Sequence, residues 1–329
     1  MKSTGFVLFE FDDNDETLIT FVYPSADKEL KTVIQETASF LINLSHPTLY
    51  TAYGSKYLYF ETKRNSNRSS NVRIFGICLL ADNLYPPLYS EFAQVLLEIY
   101  HDHSNPPRVL RSYLSSMTDG QLSYQGLEFA SDNFEEEAFN RANFNALIER
   151  TGSNIAAIWQ ALVTGKTVGV YSQDINLLQQ CAFPILALCS PGTRSLLPLV
   201  LESSSTMTDA ADNAKHPIWC SNDSSILNNR FDICINLSQK TVVASQAFQK
   251  ELNSDLLDSF REELSEAAAS ESSLYEAVLG FNTNNIVATL ATIKERRGDC
   301  SPASIAGVNL PAETKALLTG IAQAGIIPI

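Results

Sequence analysis

The stretch that decides the fold is residues 161–191, ALVTGKTVGVYSQDINLLQQCAFPILALCSP. It opens with the end of an apolar helix, passes through the short strand TVGVYS at 167–172, and continues into a second helix rich in Leu and Ala. Helix and strand continue to alternate over residues 142–245, with further strands near LLPLVL, HPIWC and FDICINL. This alternation predicts an open, largely parallel α/β layer.

The triplet Gly165-Lys166-Thr167 raises the question of a phosphate-binding loop. Such a loop needs a strand, then G-x-x-x-x-G-K-[ST], then a helix, so that backbone amides converge on phosphate. Here a helix precedes the triplet and a strand follows it, and Gln160 stands where the first glycine is required. The apolar face of that helix consists of Ile155, Ile158, Trp159 and Leu162. We therefore interpret Gly165 as the left-handed cap of a helix, expect Trp159 to be buried, and expect no ATP or GTP binding.

The composition is that of an acidic, folded protein. Among 329 residues, 23 Lys and Arg stand against 37 Asp and Glu, for a net charge of -14. This charge repels phosphate backbones and anionic lipid surfaces, so nucleic acid is not an expected partner. The six cysteines form no C-x-x-C pair and lie mostly in apolar runs, which predicts reduced core residues. No secretory signal is evident, and no apolar run approaches the roughly 20 residues of a membrane span, so we expect a cytoplasmic protein.

Four segments are predicted along the chain, and together they give an α/β class, α+β overall. Residues 1–118 follow the order β-β-α-β-β-β-α-α, typical of an antiparallel sheet backed by helices. Residues 119–141 are acidic and lack a sustained apolar period, which indicates a linker or peripheral segment. Residues 142–245 are the α/β core, and residues 246–329 are helical. One predicted helix carries Phe248, Leu252, Leu256, Phe260 and Leu264 at four-residue steps.

Clusters of charge supply the candidate partner-binding residues. Four cations gather in one loop of this acidic chain, namely Lys63, Arg64, Arg68 and Arg73. They are either a solvated face or a contact for an acidic partner surface. The glutamates at 135–137 and the acidic helix REELSEAAASE at 261–271 are the corresponding candidates for a basic partner.

Residues suited to covalent or metal chemistry are scarce. His101 and His103 are two apart, so on a helix they point in nearly opposite directions and cannot share a metal. None of the motifs G-x-S-x-G, H-E-x-x-H or G-x-G-x-x-G occurs. We therefore predict no catalytic residue, no cofactor and no metal.

The deciding stretch resembles the central part of DENN domains. In that family a helix leads into a strand of the type basic-x-[VI]-x-[FV]-x-S, followed by a Leu- and Ala-rich helix and a Pro. The likeness continues through RSLLPLV at 194–200, HPIWCSNDSSI at 216–226 and FDICINLSQKTV at 231–242. Two segments depart from the family pattern: its G-V-H-S is Trp219–Asn222 here, and its V-D-L-D is Ile235–Ser238. Within the family, the chain resembles most the short DENN domain-containing protein ten group.

The resemblance implies a fold and a function. DENN modules begin with a longin-like antiparallel lobe, continue with an α/β core and close with helices. They act as guanine-nucleotide exchange factors for Rab GTPases in endosomal traffic, binding the nucleotide-free GTPase between the longin and α/β lobes without covalent chemistry. Such proteins are cytoplasmic or peripheral on endosomes.

Two alternatives stay open under the same resemblance. The first is a non-catalytic scaffold that binds coiled-coil subunits of an endosomal retrieval assembly. The second is an activator of GTP hydrolysis that supplies an arginine from the longin lobe, with Arg64, Arg68 and Arg73 as the candidates.

Overall fold

A computed structural model describes residues 3–41, 48–54, 56–66, 71–130, 133–188, 199–200, 218–228, 231–270 and 272–323. The chain divides into two compact units, Met1–Arg141 and Ala142–Ile329. The first unit is built on an antiparallel sheet and the second on a mostly parallel one, so the predicted mixed fold class is confirmed.

The first unit has the predicted element order. Its strands are β1 Ser3–Asp12, β2 Thr17–Tyr23, β3 Thr48–Tyr53, β4 Lys56–Arg64, β5 Val72–Ala81, β6 Gln121–Tyr124 and β7 Leu127–Ala130. Its helices are α1 Lys28–Leu41, α2 Pro86–His103, α3 Pro106–Asp119 and α4 Phe134–Asn140. Five strands form one sheet in the order β2-β1-β5-β4-β3. Prolines in the first turns of α2 and α3 start these helices, because proline has no amide hydrogen to lose there.

Residues 119–141 differ from the predicted acidic linker. They contain the β6–β7 hairpin and α4, and they carry three buried rings, Phe129, Phe134 and Phe139. The ring of Phe129 lies 4.6 Å from that of Phe92 on α2. The sequence shows no apolar period because these buried rings come from a strand and a short helix, with too few in either element to form a repeat.

Alternate residues of β4 face α2. Tyr59, Glu61 and Lys63 share one side of the strand, since side chains alternate along β structure. The ring of Tyr59 lies 4.7 Å from that of Tyr89, and the ammonium of Lys63 pairs with the carboxylate of Glu98. The helix therefore follows the strand through three successive positions.

Glu61 is a buried carboxyl group between β4 and α2. Only 1% of the residue is exposed, and Thr48 Oγ1 donates to its Oε2 at 3.0 Å. Burial raises the pKa of Glu61 to about 8, although hydrogen bonds from Thr48, Ser90 and Gln94 favour the ionised form. The folded protein therefore keeps this carboxyl largely protonated at neutral pH.

The second unit holds the predicted α/β core. Its strands are β8 Val168–Tyr171, β9 Leu199–Val200, β10 Ile218–Ser221, β11 Ile233–Asn236 and β12 Thr241–Ala244. Its helices are α5 Phe144–Thr151, α6 Ile155–Val163, α7 Ile175–Ala187, α8 Gln246–Gln249, α9 Ser254–Ala269, α10 Leu274–Asn282, α11 Ala288–Arg297, α12 Pro302–Ala306 and α13 Ala312–Gln323. The sheet order is β12-β11-β8-β10-β9, parallel except for β12. No helix in the described ranges has the length and apolarity to cross a bilayer.

Gly165 ends α6 as predicted. Its φ is 71°, the left-handed region that glycine adopts without strain. Its amide donates to Leu162 O at 3.1 Å, and the amide of Lys166 donates to Ala161 O at 2.8 Å. These two bonds form a Schellman motif, which satisfies carbonyls at the helix end. The triplet is thus a helix cap leading into β8 and has the wrong order of elements for a phosphate loop.

Trp159 on α6 is the largest fully buried side chain of the second unit. It is 0% exposed, its ring stacks on Phe260 at 4.7 Å, and the edge of Phe281 lies 5.3 Å away. Its Nε1 donates to Asn282 Oδ1 at 2.8 Å. The predicted burial is confirmed, and the indole joins α6 to both α9 and α10.

One predicted C-terminal helix is interrupted in the structure. The expected helix through Phe248 is two helices, α8 and α9, separated at Asn253. Asn253 Oδ1 accepts the amide of Leu256 at 3.0 Å and so caps α9. Phe248, Phe260 and Leu264 are buried as their spacing predicts, whereas Leu257 is buried next to a half-buried Leu256.

The cysteines in the described ranges are free thiols. Cys234 is half-buried, and the other four are buried, namely Cys78, Cys181, Cys220 and Cys300. Burial raises the pKa of Cys181 to about 12, so this thiol stays protonated and unreactive. Cys189 lies outside the described residues.

Truncation of Trp159 to Ala should destabilise the second unit. We expect a loss of roughly 3–5 kcal/mol, because a large ring is removed from a closed core and Asn282 loses its hydrogen-bond donor. Urea denaturation followed by circular dichroism measures the change. Leu18→Ala is the control, since Leu18 is 62% exposed and its truncation should alter the midpoint little. Equal midpoints for both variants would contradict the packing described.

The substitution Glu61→Gln should stabilise the first unit in a pH-dependent way. Between the ordinary pKa of 4.5 and about 8, the unfolded chain releases the proton and the folded chain keeps it. Each pH unit in that window therefore destabilises the wild type by about 1.4 kcal/mol, a cost that glutamine lacks. The stability difference should be near zero at pH 4, grow with pH, and level off above pH 8. Urea denaturation midpoints across this pH range measure the difference, and Glu36→Gln at an exposed position is the control. If the midpoints of the two variants changed with pH in the same way, the buried position of the Glu61 carboxyl would be contradicted.

Candidate partner-binding site

The basic hairpin, defined as Lys63, Arg64 and Arg73, lies where β4 ends and β5 begins. Lys63 and Arg64 are the last residues of β4, and Arg73 is the second residue of β5. The amide of Asn65 donates to Arg73 O at 2.8 Å and closes the pairing of the two strands. The structure thus brings together three of the four predicted cations, while Arg68 lies outside the described residues.

Two cations of the basic hairpin are held by carboxylates of the same unit. Lys63 pairs with Glu98 on α2, and Arg73 pairs with Asp15 in the turn between β1 and β2. Arg64 is exposed and has no ion-pair partner within the described ranges. The local positive potential is therefore smaller than the sequence indicates, and it is concentrated at Arg64.

A network of titratable groups continues from Lys63 along the last turn of α2. Ligand atoms of Glu98, His101 and Asp102 lie within 4.8 Å of one another. Burial acts to raise the pKa of Asp102, but hydrogen bonds from Tyr124 and His101 outweigh it and leave the pKa below its ordinary value. These residue types are metal ligands, yet the Lys63 ammonium on Glu98 opposes a second cation there. The arrangement is that of an ion-pair network.

The sequence analysis missed this network because it found no further Cys, His or carboxylate cluster that would complete a site around the two histidines. The signal was present as carboxylates three residues before and one residue after His101, on the same turn of helix. His103 contacts the same network indirectly: its Nε2 lies 2.8 Å from the hydroxyl of Tyr124, which donates to Asp102 Oδ2 at 3.0 Å.

The two segments that depart from the DENN pattern close the carboxyl edge of the parallel sheet. Asn236 Oδ1 accepts the amide of Gln239 at 3.0 Å, and Ser238 Oγ accepts the amide of Gln173 at 3.1 Å. Ser221 at the end of β10 is fully buried. The polar side chains of Asn236 and Ser238 therefore hold the backbone that follows β11 and β8, which gives the departure at Ile235–Ser238 a structural use.

Of the two acidic segments that are candidates for binding a basic partner, the glutamates at 135–137 are partly neutralised by an arginine of the same unit. Arg141 bridges Glu91 on α2 and Glu137 on α4, which uses one of the three consecutive glutamates. On α9, Glu262 and Glu263 are exposed. The surface of α9 therefore keeps the acidic character expected from the sequence.

Comparison with known proteins supplies the relatives. No protein-family profile matches the chain. DENN domain-containing protein 10 of Dictyostelium discoideum is 23% identical over 351 aligned positions, covering 95% of this chain and 93% of that protein. The Homo sapiens and Mus musculus proteins of the same name are each 26% identical over 182 residues, 54% of this chain and 51% of theirs. The aligned region therefore spans about half the length of the mammalian relatives and nearly all of the amoebal one.

These similarities agree with the resemblance carried by residues 161–242. They extend through both units, since the amoebal alignment covers almost the whole chain. The chain is thus similar to the DENN domain-containing protein 10 group along almost its whole length.

Proposed function

We propose that this protein is a DENN-type regulator of a Rab-type small GTPase and that it promotes guanine-nucleotide exchange. The observation that carries the proposal is the similarity to DENN domain-containing protein 10 along 95% of the chain. The order of the units supports it, because an antiparallel first unit followed by an α/β second unit is the arrangement that the resemblance implies.

Exchange of this kind is a matter of binding. A regulator that binds the nucleotide-free GTPase more tightly than the loaded form lowers the barrier to nucleotide release. No nucleophile or general base is required of it. Endosomal membranes are the proposed place of action, on the ground of the family resemblance alone.

Activation of GTP hydrolysis is a second candidate, and one observation favours it. An arginine that one protein supplies to the active site of a GTPase must be able to extend away from the surface of its own protein. Arg64 is exposed and lacks an ion-pair partner in the described ranges, whereas Arg73 is held by Asp15. Among the described arginines of the hairpin, Arg64 is the residue suited to that role.

Nucleotide release from a panel of Rab GTPases tests the main proposal. The purified chain should accelerate loss of fluorescent GDP by about tenfold or more for at least one Rab. It should also retain that Rab in its nucleotide-free form on a column. If no Rab responds in either assay, the exchange function is excluded; faster GTP hydrolysis that is lost in Arg64→Ala would establish the second candidate instead.

Charge reversal at Arg64 tests the basic hairpin as a contact surface. Arg64→Glu should slow association with the responsive GTPase several-fold and flatten its salt dependence, because steering of an acidic patch is lost. The melting temperature should hardly change, since exposed charges contribute little to folding. Stopped-flow rates at two ionic strengths give the answer. Lys28→Glu on α1 is the matched control, and equal rates for the two variants would show that the hairpin is only a solvated face.

A further inference from the structure

A groove in the second unit lies between the end of α6, the junction of α8 and α9, and α13. Its volume is about 830 Å³, within the roughly 300–1,000 Å³ usual for binding clefts. Its walls carry charged residues from all three places: Lys166 after α6, Lys250 and Glu251 after α8, and Lys315 on α13. Neither the DENN resemblance nor the proposed exchange activity uses this groove.

The groove is cationic although the chain as a whole carries a charge of -14. Lys166 Nζ lies 2.8 Å from Glu251 Oε2, with the two side chains 28% and 50% exposed. Lys315 Nζ donates to Ala306 O at 3.0 Å, and Lys250 is exposed. An ammonium has three hydrogens to donate, so these lysines can each bind a further acceptor. Three cations and one carboxylate thus give the groove a sign opposite to that of the chain.

The walls of the groove are fixed by interactions already in place. The Schellman motif holds the backbone of Lys166, and Gln160 Nε2 donates to Glu251 O at 2.7 Å. On the far side α13 approaches α6 closely, since a side-chain carbon at Gly320 would meet Thr164 at 3.4 Å. Because little has to be ordered, a ligand would bind without a large entropic cost.

The lining favours an extended chain over a nucleotide. Ala312, Ala316 and Gly320 lie at four-residue steps on α13 and line the groove. Their spacing covers about 12 Å of helix, the length of three or four extended residues at about 3.3 Å each. None of the described lining residues is aromatic, so a base would find no stacking surface. The lysines come from three separate elements, an arrangement that suits carboxylates spaced along a chain.

We propose that this groove binds an extended acidic peptide segment of a partner protein. Its carboxylates contact Lys166, Lys250 and Lys315, and its main chain lies over the small residues of α13. The first carboxylate to arrive competes with Glu251 for Lys166 and thereby opens that ion pair.

Fluorescence anisotropy with a labelled hexapeptide tests the proposal on the full chain. The probe is Glu-Ser-Glu-Ser-Glu-Ser, and the same peptide with Gln for Glu is its neutral counterpart. The acidic probe should bind more tightly than the neutral one, and its affinity should fall between about 50 mM and about 200 mM salt. Lys250→Gln and Lys315→Gln should each weaken binding several-fold, and Glu251→Gln should strengthen it. Lys31→Gln, an exposed site on α1, is the matched control and should leave binding unchanged.

Other outcomes would overturn the proposal. Equal binding of the two peptides, or indifference to Lys250→Gln and Lys315→Gln in variants with unchanged melting temperatures, would show that the groove has no such role. Inositol hexakisphosphate that binds through the same lysines while the acidic peptide does not would assign the groove to a phosphate ligand instead. Hydrogen exchange gives an independent measure, because the bound peptide should protect amides of residues 312–323. These assays contain no GTPase, so their result does not depend on the exchange proposal.

Discussion

The second unit depends on a helix that has no solvent-facing side. Every residue of α6 from Ile155 to Val163 is buried, and one of them, Gln160, is polar. A buried amide must be satisfied, and Gln160 donates to Glu251 O and accepts the amide of Asn253 at 3.0 Å. These two bonds determine where the chain turns from α8 into α9. The core helix therefore positions the peripheral helices through a polar side chain as well as through apolar packing.

The first unit contains a polar group that lowers its stability at neutral pH. Glu61 occupies a position where leucine would fill the same layer, between Tyr59 and Lys63 on the face of β4. Its bond from Thr48 connects β4 to the edge strand β3. Natural proteins are only marginally stable, so a buried carboxyl of this kind uses a noticeable part of the available free energy. Glu61 does, however, form a directional hydrogen bond with Thr48 within a mostly apolar layer.

The sequence predicted those features that depend on short-range patterns. The two sheets, the buried face of α6 and the left-handed Gly165 all follow from periodicity and glycine chemistry within a dozen residues. The sequence predicted one continuous helix from Phe248 to Leu264 where the structure has two, because the cap at Asn253 starts a new helix. The pairs Lys63–Glu98 and Arg73–Asp15 were not predictable, since each joins residues brought together only by the fold. For the same reason the sequence indicated a loop with four available cations. In the described part of that loop, Lys63 and Arg73 are paired with carboxylates and only Arg64 is not.

The match between β4 and α2 has a geometric basis. Two residues of a strand advance about 6.6 Å, and four residues of a helix advance about 6 Å. The two repeats therefore stay in step from Tyr59 to Lys63, and the series ends there because β4 ends at Arg64. A slide of α2 by one turn would bring Glu98 opposite the buried Glu61 and Asp102 opposite Lys63. An insertion or deletion within either element would shift the helix along the strand in this way. It would be disfavoured by poor packing and by the approach of two carboxyl groups, Glu98 and Glu61.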